Sequence, residues 1–285
     1  MKKINQINIR TMKKLYFLLT IIVFSLVLMP SNVVAGWVIT GRFIDTEGNT
    51  VLKKYYIEGA DIKVERYNLI YSFNTENEQI IIVDPENLLF VKTDFISYSA
   101  KLKEIKLRNL SELLSIVPQN QKDSLASAYK ALINERFKLN RSPIDGLTIG
   151  LISDSLKFLG YPCSKYTISV NGLRKEELVF TQQINVFDES DFHKFLEFVF
   201  LIEPEDETVR YQTTEIFSQT FGSGTVLRRF MFNGGYRTEW QVNLIEKKKI
   251  PFYEFTTPDL CKELTLDKWL ARKQSALEIQ YDDYE

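Results

Sequence analysis

Short apolar runs alternate with turn clusters from Trp37 to Thr93. WVITGRFI leads into the turn cluster Asp45-Thr46-Glu47-Gly48-Asn49, and VLKKYYI follows. Glu58-Gly59-Ala60-Asp61 turns again before IKVERYNLIYSF. Asn74 to Glu78, QIIIV, Asp84-Pro85-Glu86-Asn87 and LLFVKT complete the block. β-branched and aromatic runs punctuated by Gly, Pro, Asn and Asp predict an antiparallel meander. Several runs are mixed rather than strictly alternating, so one face need not be fully wet.

The period then changes. Leu107, Leu110, Leu113, Leu114 and Val117 keep helical spacing until Pro118, which ends a helix. A second helix fits Gln121 to Leu139, with Leu125, Ala128, Tyr129, Leu132 and Ile133 on one face. Strands return in LTIGLI, SLKFLGY, SKYTISV and KEELVFTQQINV. Asn171-Gly172 between two of them signals a hairpin, because a type I′ turn needs positive φ at both central residues. A helix over about Ser190 to Ile202 turns Phe192, Phe195, Leu196, Val199 and Phe200 inward, capped by Asp188 or Ser190. Glu207 to Gln219 leans helical, although its Thr and Val content also suits a strand. TVLRRFMF, the turn Asn233-Gly234-Gly235 and YRTEWQVNLIE give two more strands. A C-terminal helix is expected over Thr265 to Ile279, within a C-terminal helix and acidic tail of about 259–285.

Strands thus regroup around helical insertions, and βα units do not alternate. That order predicts an α+β fold with one large antiparallel sheet. No linker rich in Pro, Gly or Ser divides the chain after residue 35, and no internal repeat is visible. The expectation is a single domain over 36–285.

The segment before it has a different character. Met1 to Lys14 carries Lys2, Lys3, Arg10, Lys13 and Lys14 and no acid. Leu15 to Met29 is uncharged and almost wholly apolar, Pro30-Ser31 break it, and Val33-Val34-Ala35 precede Gly36. This order is that of a cleavable signal peptide, 1–35. The apolar core is short of the ~20 residues a membrane span requires; an uncleaved N-terminal anchor is the competing reading. Met12-Lys13-Lys14 alone makes a sufficient basic region for a start at Met12. The absence of Cys near the cut argues against a lipoprotein acyl anchor. The expected location is the periplasm, with the extracellular space as the alternative, and no membrane span is expected in the mature chain.

Net charge is −1 over 285 residues, which gives no global field for nucleic acid or an anionic membrane. Apolar residues make up 45% and aromatics 13%: enough for a sizeable core, or for a greasy cavity. Two cysteines, Cys163 and Cys261, lie in the mature part. In an exported chain they permit one disulfide; both flank strand ends in the second half, so they are expected to approach each other. Two buried free thiols is the alternative.

Catalytic chemistry finds little support. His193 is the only histidine, sits among aromatics on a predicted helix, and reads as a surface or packing residue. Phe221-Gly222-Ser223-Gly224-Thr225 lacks the Lys-Ser/Thr of a phosphate loop and the G-x-S-x-G spacing of a nucleophile elbow, so it reads as a turn. Lys247-Lys248-Lys249 reads as a solvated turn. The pairs Glu176-Glu177 and Glu203 with Glu205 read as water-facing. No catalytic residue, metal ligand or cofactor site is assigned, and a non-enzymatic protein is expected.

Three runs carry a resemblance. They are Leu159-Gly160-Tyr161-Pro162-Cys163-Ser164-Lys165-Tyr166, Tyr56-Ile57-Glu58-Gly59-Ala60-Asp61-Ile62-Lys63-Val64-Glu65, and Ile250-Pro251-Phe252-Tyr253-Glu254-Phe255-Thr256-Thr257-Pro258. Together they resemble a group of uncharacterised exported bacterial proteins whose fold is similar to the periplasmic lipoprotein carriers (LolA-like and LolB-like). The resemblance implies an incomplete antiparallel β-barrel whose concave face is covered by helices over an apolar cavity. In the carriers that cavity takes acyl chains. The helices at 107–139 and 190–202 are then lid or plug. Gly160 supplies a tight turn, and Cys163 is structural. The helical insertion is longer than in the carriers, and no site residue is carried over. The expected function is binding of a hydrophobic or acylated ligand, a lipid or acylated protein, in the envelope. The alternative is a structural or partner-binding envelope protein with a packed core.

Overall fold

A computed structural model describes residues 35–66, 68–136, 144–187, 189–202, 211–212, 214–222 and 224–272. The chain divides into Met1–Ala35 and Gly36–Glu285, and the fold is that of the second unit. The signal-peptide expectation for Met1 to Val34 and the cap expectation at Asp188 lie outside the described residues, as do the residues from 273 onward.

The first meander runs β1 (Gly36–Ile44), β2 (Thr50–Glu58), β3 (Asp61–Arg66), β4 (Leu69–Asn74), β5 (Gln79–Asp84) and β6 (Leu89–Asp94). Helices α1 (Phe95–Ile116) and α2 (Gln119–Arg136) follow. The second meander has β7 (Leu147–Phe158), β8 (Tyr161–Val170) and β9 (Leu173–Thr181). Then come α3 (Glu189–Ile202), α4 (Glu215–Phe221), β10 (Thr225–Asn233) and β11 (Tyr236–Lys248). A 3₁₀ turn (Phe252–Phe255), β12 (Lys262–Leu264) and α5 at 266–272 end the described chain.

Among the described residues all the strands form one twelve-stranded sheet in the order β12-β6-β5-β4-β3-β2-β1-β11-β10-β9-β8-β7. Pairing is antiparallel except for β12 beside β6. The β1–β11 pair joins the two meanders, and β7 and β12 remain as edges, so the sheet is open. This is the expected α+β architecture.

Local signals placed most turns correctly. Asn171 and Gly172 have φ of 51° and 77°, the signs that a type I′ hairpin demands. Two readings needed correction. IKVERYNLIYSF is not one strand but the β3–β4 hairpin, in which Arg66 pairs with Leu69. LTIGLI and SLKF are one strand, β7, with register shifts between Leu151 and Ser153 and between Ser153 and Leu156. Bulges absorb extra residues without ending a ladder, and here they take up the polar Ser153-Asp154-Ser155 stretch. α1 begins at Phe95 rather than Leu107 because Asp94 caps it, accepting from the Ser97 amide at 2.8 Å. Pro118 separates α1 from α2 as expected, and α2 is largely exposed.

Side chains alternate across a strand, and the ladders align that alternation into rows. Ile39, Tyr55, Val64, Tyr71, Ile82 and Val91 are successive cross-strand partners from β1 to β6. This helix-side face carries the largest apolar cluster. Phe198 of α3, 0% exposed, stacks on Phe73 at 4.6 Å between ring centroids. Phe95 of α1 tilts against Phe73 at 6.4 Å. α3 is tied to the β4–β5 turn: Lys194 donates to the Thr75 carbonyl at 2.6 Å, and the Thr75 hydroxyl donates to Asp191. The expected inward stripe of α3 is only partly right. Phe198 and Leu201 are buried beside Phe195 and Leu196, because the helix buries more than one stripe. Within Glu207 to Gln219, the described part from Glu215 is helical.

The opposite face is covered by the segment after β11, where Ile250 and Phe255 pack on Val38 and Tyr56. Lys63 is buried there between Glu254 at 2.7 Å and Glu65 at 3.0 Å. Burial opposes its charge, but the two carboxylates outweigh it and hold the lysine above its ordinary pKa.

Candidate functional site

The helix-side face does not close fully on its helices. A cavity of about 840 Å³ lies against β1–β3 and β9–β11, and residues of α3 and α4 complete its wall. That is within the roughly 300–1,000 Å³ typical of small-molecule sites. Ile39, Ile57, Val64, Phe195, Leu196, Val199 and Val242 supply its aliphatic and aromatic wall. Tyr55 meets Trp240 edge-on at 5.8 Å and Phe195 at 6.5 Å. Phe187 stacks on Phe195 at 5.0 Å.

Two glycines make room for this wall. A Cβ on Gly41 would overlap the Trp240 ring, so only glycine lets the indole lie against β1. A Cβ on Gly224 would overlap the Phe180 ring and come 2.6 Å from the Thr181 carbonyl. Both Gly222 and Gly224 line the cavity, so the connection between α4 and β10 forms part of the wall, with Gly222 at φ 53°. Nearby, Phe217 and Phe221 pack at 4.4 Å, and Phe221 lies 4.9 Å from both Tyr166 and Phe180.

Charge enters the cavity where the sequence reading expected none. Glu176 and Glu177 do not both face water. The β9 alternation puts Glu177 outside, bound to Lys165 at 2.7 Å and Arg174 at 2.8 Å. Burial works against the Glu177 carboxylate, but Lys165 and Arg174 prevail and hold its pKa low. Glu176 goes inside, 1% exposed, with Arg229 Nε 3.5 Å from its carboxylate. Gln212, with its amide oxygen turned to Arg229, accepts from Nη1 at 2.7 Å and from Nη2. A readable signal existed: Glu176, Leu178 and Phe180 share one side of a strand, and that side is apolar. Glu203 and Glu205 lie outside the described residues.

The remaining sequence candidates lie away from this cavity. His193 is half-buried on α3 and is absent from the cavity wall. Lys247 sits over the Trp37 ring and Lys248 pairs with Glu246 at 2.9 Å, at the exposed end of β11. Cys163 and Cys261 are not brought together. Both are free thiols; Cys163 is buried in the helix-side core, and Cys261 packs beside Ile81, Val83 and Phe90 in a separate cluster. Burial raises the Cys163 pKa. Among the described residues no group of three or more His, Cys, Asp or Glu side chains is arranged to hold a metal. Among them, too, no helix is long and apolar enough to cross a membrane.

No protein-family description matches the chain, and no well-characterised protein matches it in sequence. Solved structures give distant likenesses. An uncharacterised conserved protein from Thermus thermophilus is 8% identical with a TM-score of 0.41, over 82% of this chain and 92% of that one. PNGF-II is 11% identical with a TM-score of 0.34, over 81% of this chain and 31% of its own.

Proposed function

We propose that this chain is an exported envelope protein that binds a hydrophobic or acylated ligand in the cavity, without catalysing a reaction. The observation that carries the proposal is the cavity itself: about 840 Å³ with a mainly apolar wall. Apolar concave sites with a few placed polar groups are the usual form of a small-molecule site. In this reading the open sheet is an incomplete barrel, α3 and α4 cover its concave side, and the N-terminal 35 residues direct export to the periplasm. The three runs that resemble the lipoprotein-carrier group point the same way.

Native mass spectrometry with lipid extraction, on protein purified from a periplasmic fraction, tests this. A co-purifying fatty acid, phospholipid or acylated peptide is the expected result. A clean apo mass with no uptake of an added hydrophobic probe would move the assignment to a structural or partner-binding protein.

A further inference from the structure

An exposed aromatic pair lies away from the cavity, on the segment that follows β11. Phe252 and Tyr253, in the 3₁₀ turn, are 76% and 71% exposed. Apolar residues exposed singly are ordinary; here two adjacent rings are bared on a turn that is itself anchored. Ile250 before it and Phe255 at its end are buried against Val38 and Tyr56. The Glu254 amide donates to the Pro251 carbonyl at 2.9 Å, and the Glu254 carboxylate is drawn inward to buried Lys63 at 2.7 Å. These anchors hold the turn on the sheet and leave Phe252 and Tyr253 outside.

Lysines border the pair. Lys247, Lys248 and Lys249 are all exposed. Lys247 lies over the Trp37 ring, and Lys248 pairs with Glu246 in a contact open to solvent. Glu58, beside Gly36, is half-buried. Exposed rings next to lysines are the pattern of an interfacial segment, in which the rings sit at headgroup level and the ammonium groups meet lipid phosphates.

Chain continuity says what covers this surface. Gly36 is the cross-strand partner of Lys248, and a Cβ on it would come 2.6 Å from Ile250 Cδ1, so the chain enters the sheet beside the lysines and the turn. Leu15 to Met29, uncharged and almost wholly apolar, precedes that entry, with only Pro30 to Ala35 between. Fully extended, this connection spans at most about 20 Å. An apolar run of this kind seeks the bilayer, and while it is attached it keeps the turn within reach of the headgroup layer.

We propose that the end of β11 and the 3₁₀ turn form a membrane-docking surface: Phe252 and Tyr253 lodge among the headgroups of an anionic bilayer, and Lys247 to Lys249 face its phosphates. The rings supply the contact, and the lysines favour anionic lipid over a distance set by the Debye length. The cavity takes no part, since none of these five residues lines it.

Co-sedimentation of the full chain, as its expressing cell processes it, with vesicles of equal parts phosphatidylcholine and phosphatidylglycerol tests this. The parent is expected to bind them, and to bind vesicles of phosphatidylcholine alone more weakly. Phe252→Ser/Tyr253→Ser leaves the Ile250 and Phe255 anchors in place and should raise the lipid concentration for half-binding roughly tenfold. Lys247→Gln/Lys248→Gln/Lys249→Gln should bring binding on the anionic vesicles down to the level on phosphatidylcholine and remove its salt dependence. Variants that bind as the parent does would overturn the proposal and assign binding to the N-terminal apolar run alone. A parent that binds neither vesicle would overturn it as well, and would leave the aromatic pair to a protein partner.

Discussion

The Glu176–Arg229 pair offers a sharp test of how dry the cavity wall is. Glu176 is 1% exposed, the Arg229 side chain 13%, and the charged atoms are 3.5 Å apart. Removing one partner of a buried pair leaves an uncompensated charge and costs about 3–5 kcal/mol. Arg229→Met removes a cation 3.5 Å from the more deeply buried member, so it should be the costlier single change, up to about 3–5 kcal/mol. Glu176→Gln keeps an acceptor toward the guanidinium, and Gln212 still binds Arg229, so about 1–3 kcal/mol is expected. The Glu176→Leu/Arg229→Met double variant removes both charges and should fall within about 2 kcal/mol of the parent. Urea unfolding at neutral pH, followed by tryptophan emission and by circular dichroism, gives all three values. A cost below about 1 kcal/mol for Arg229→Met would refute the reasoning, because it would place the pair in solvent-like surroundings. A double variant as costly as the sum of its singles would refute it equally.

Phe198→Ala should destabilise by about 3–5 kcal/mol, since the ring is wholly buried and stacked on Phe73; a denaturant midpoint close to the parent's would mean that α3 is not docked there. Asp94→Ala should cost about 1 kcal/mol through loss of the α1 cap, read by thermal unfolding. The Ser97 hydroxyl and amide bond this carboxylate at 2.6 and 2.8 Å and hold its pKa below the ordinary value of 3.8. Its contribution is therefore complete above that value and fades as pH falls through the lowered one, so parent and variant should converge in acid; a constant gap into acid would contradict the capping role. Thiol titration should find Cys261 reacting in the folded protein and Cys163 only on unfolding; an unreactive pair that appears only after reduction would show a disulfide instead.

The sequence carried its strongest information where structure is local. The Asn171-Gly172 and Gly234-Gly235 turns demand positive φ, and they have it. Pro118 divides the two helices of the insertion, as proline must. The β3–β4 hairpin has no strong local signal, because its connection holds neither Gly nor Pro and both flanks are β-formers. Ser153-Asp154-Ser155 looks like a turn that divides β7, whereas a bulged strand tolerates the same polar residues on an edge. Glu176 beside Glu177 looks like a solvated pair in sequence, whereas the alternation of β9 separates the two onto opposite faces.

Composition and period alone determined that this is an α+β chain built from two runs of antiparallel strands around helical insertions, because hydrogen-bonded turns and amphipathic periods are encoded within a few residues. Tertiary structure decided the rest. Only the β1–β11 pairing fuses the meanders into one sheet, and that contact joins residues about two hundred positions apart. Only the spacing between this sheet and α3 and α4 turns apolar side chains into a wall rather than a filled core. The same aromatic residues fit either arrangement, so their number could not choose between them.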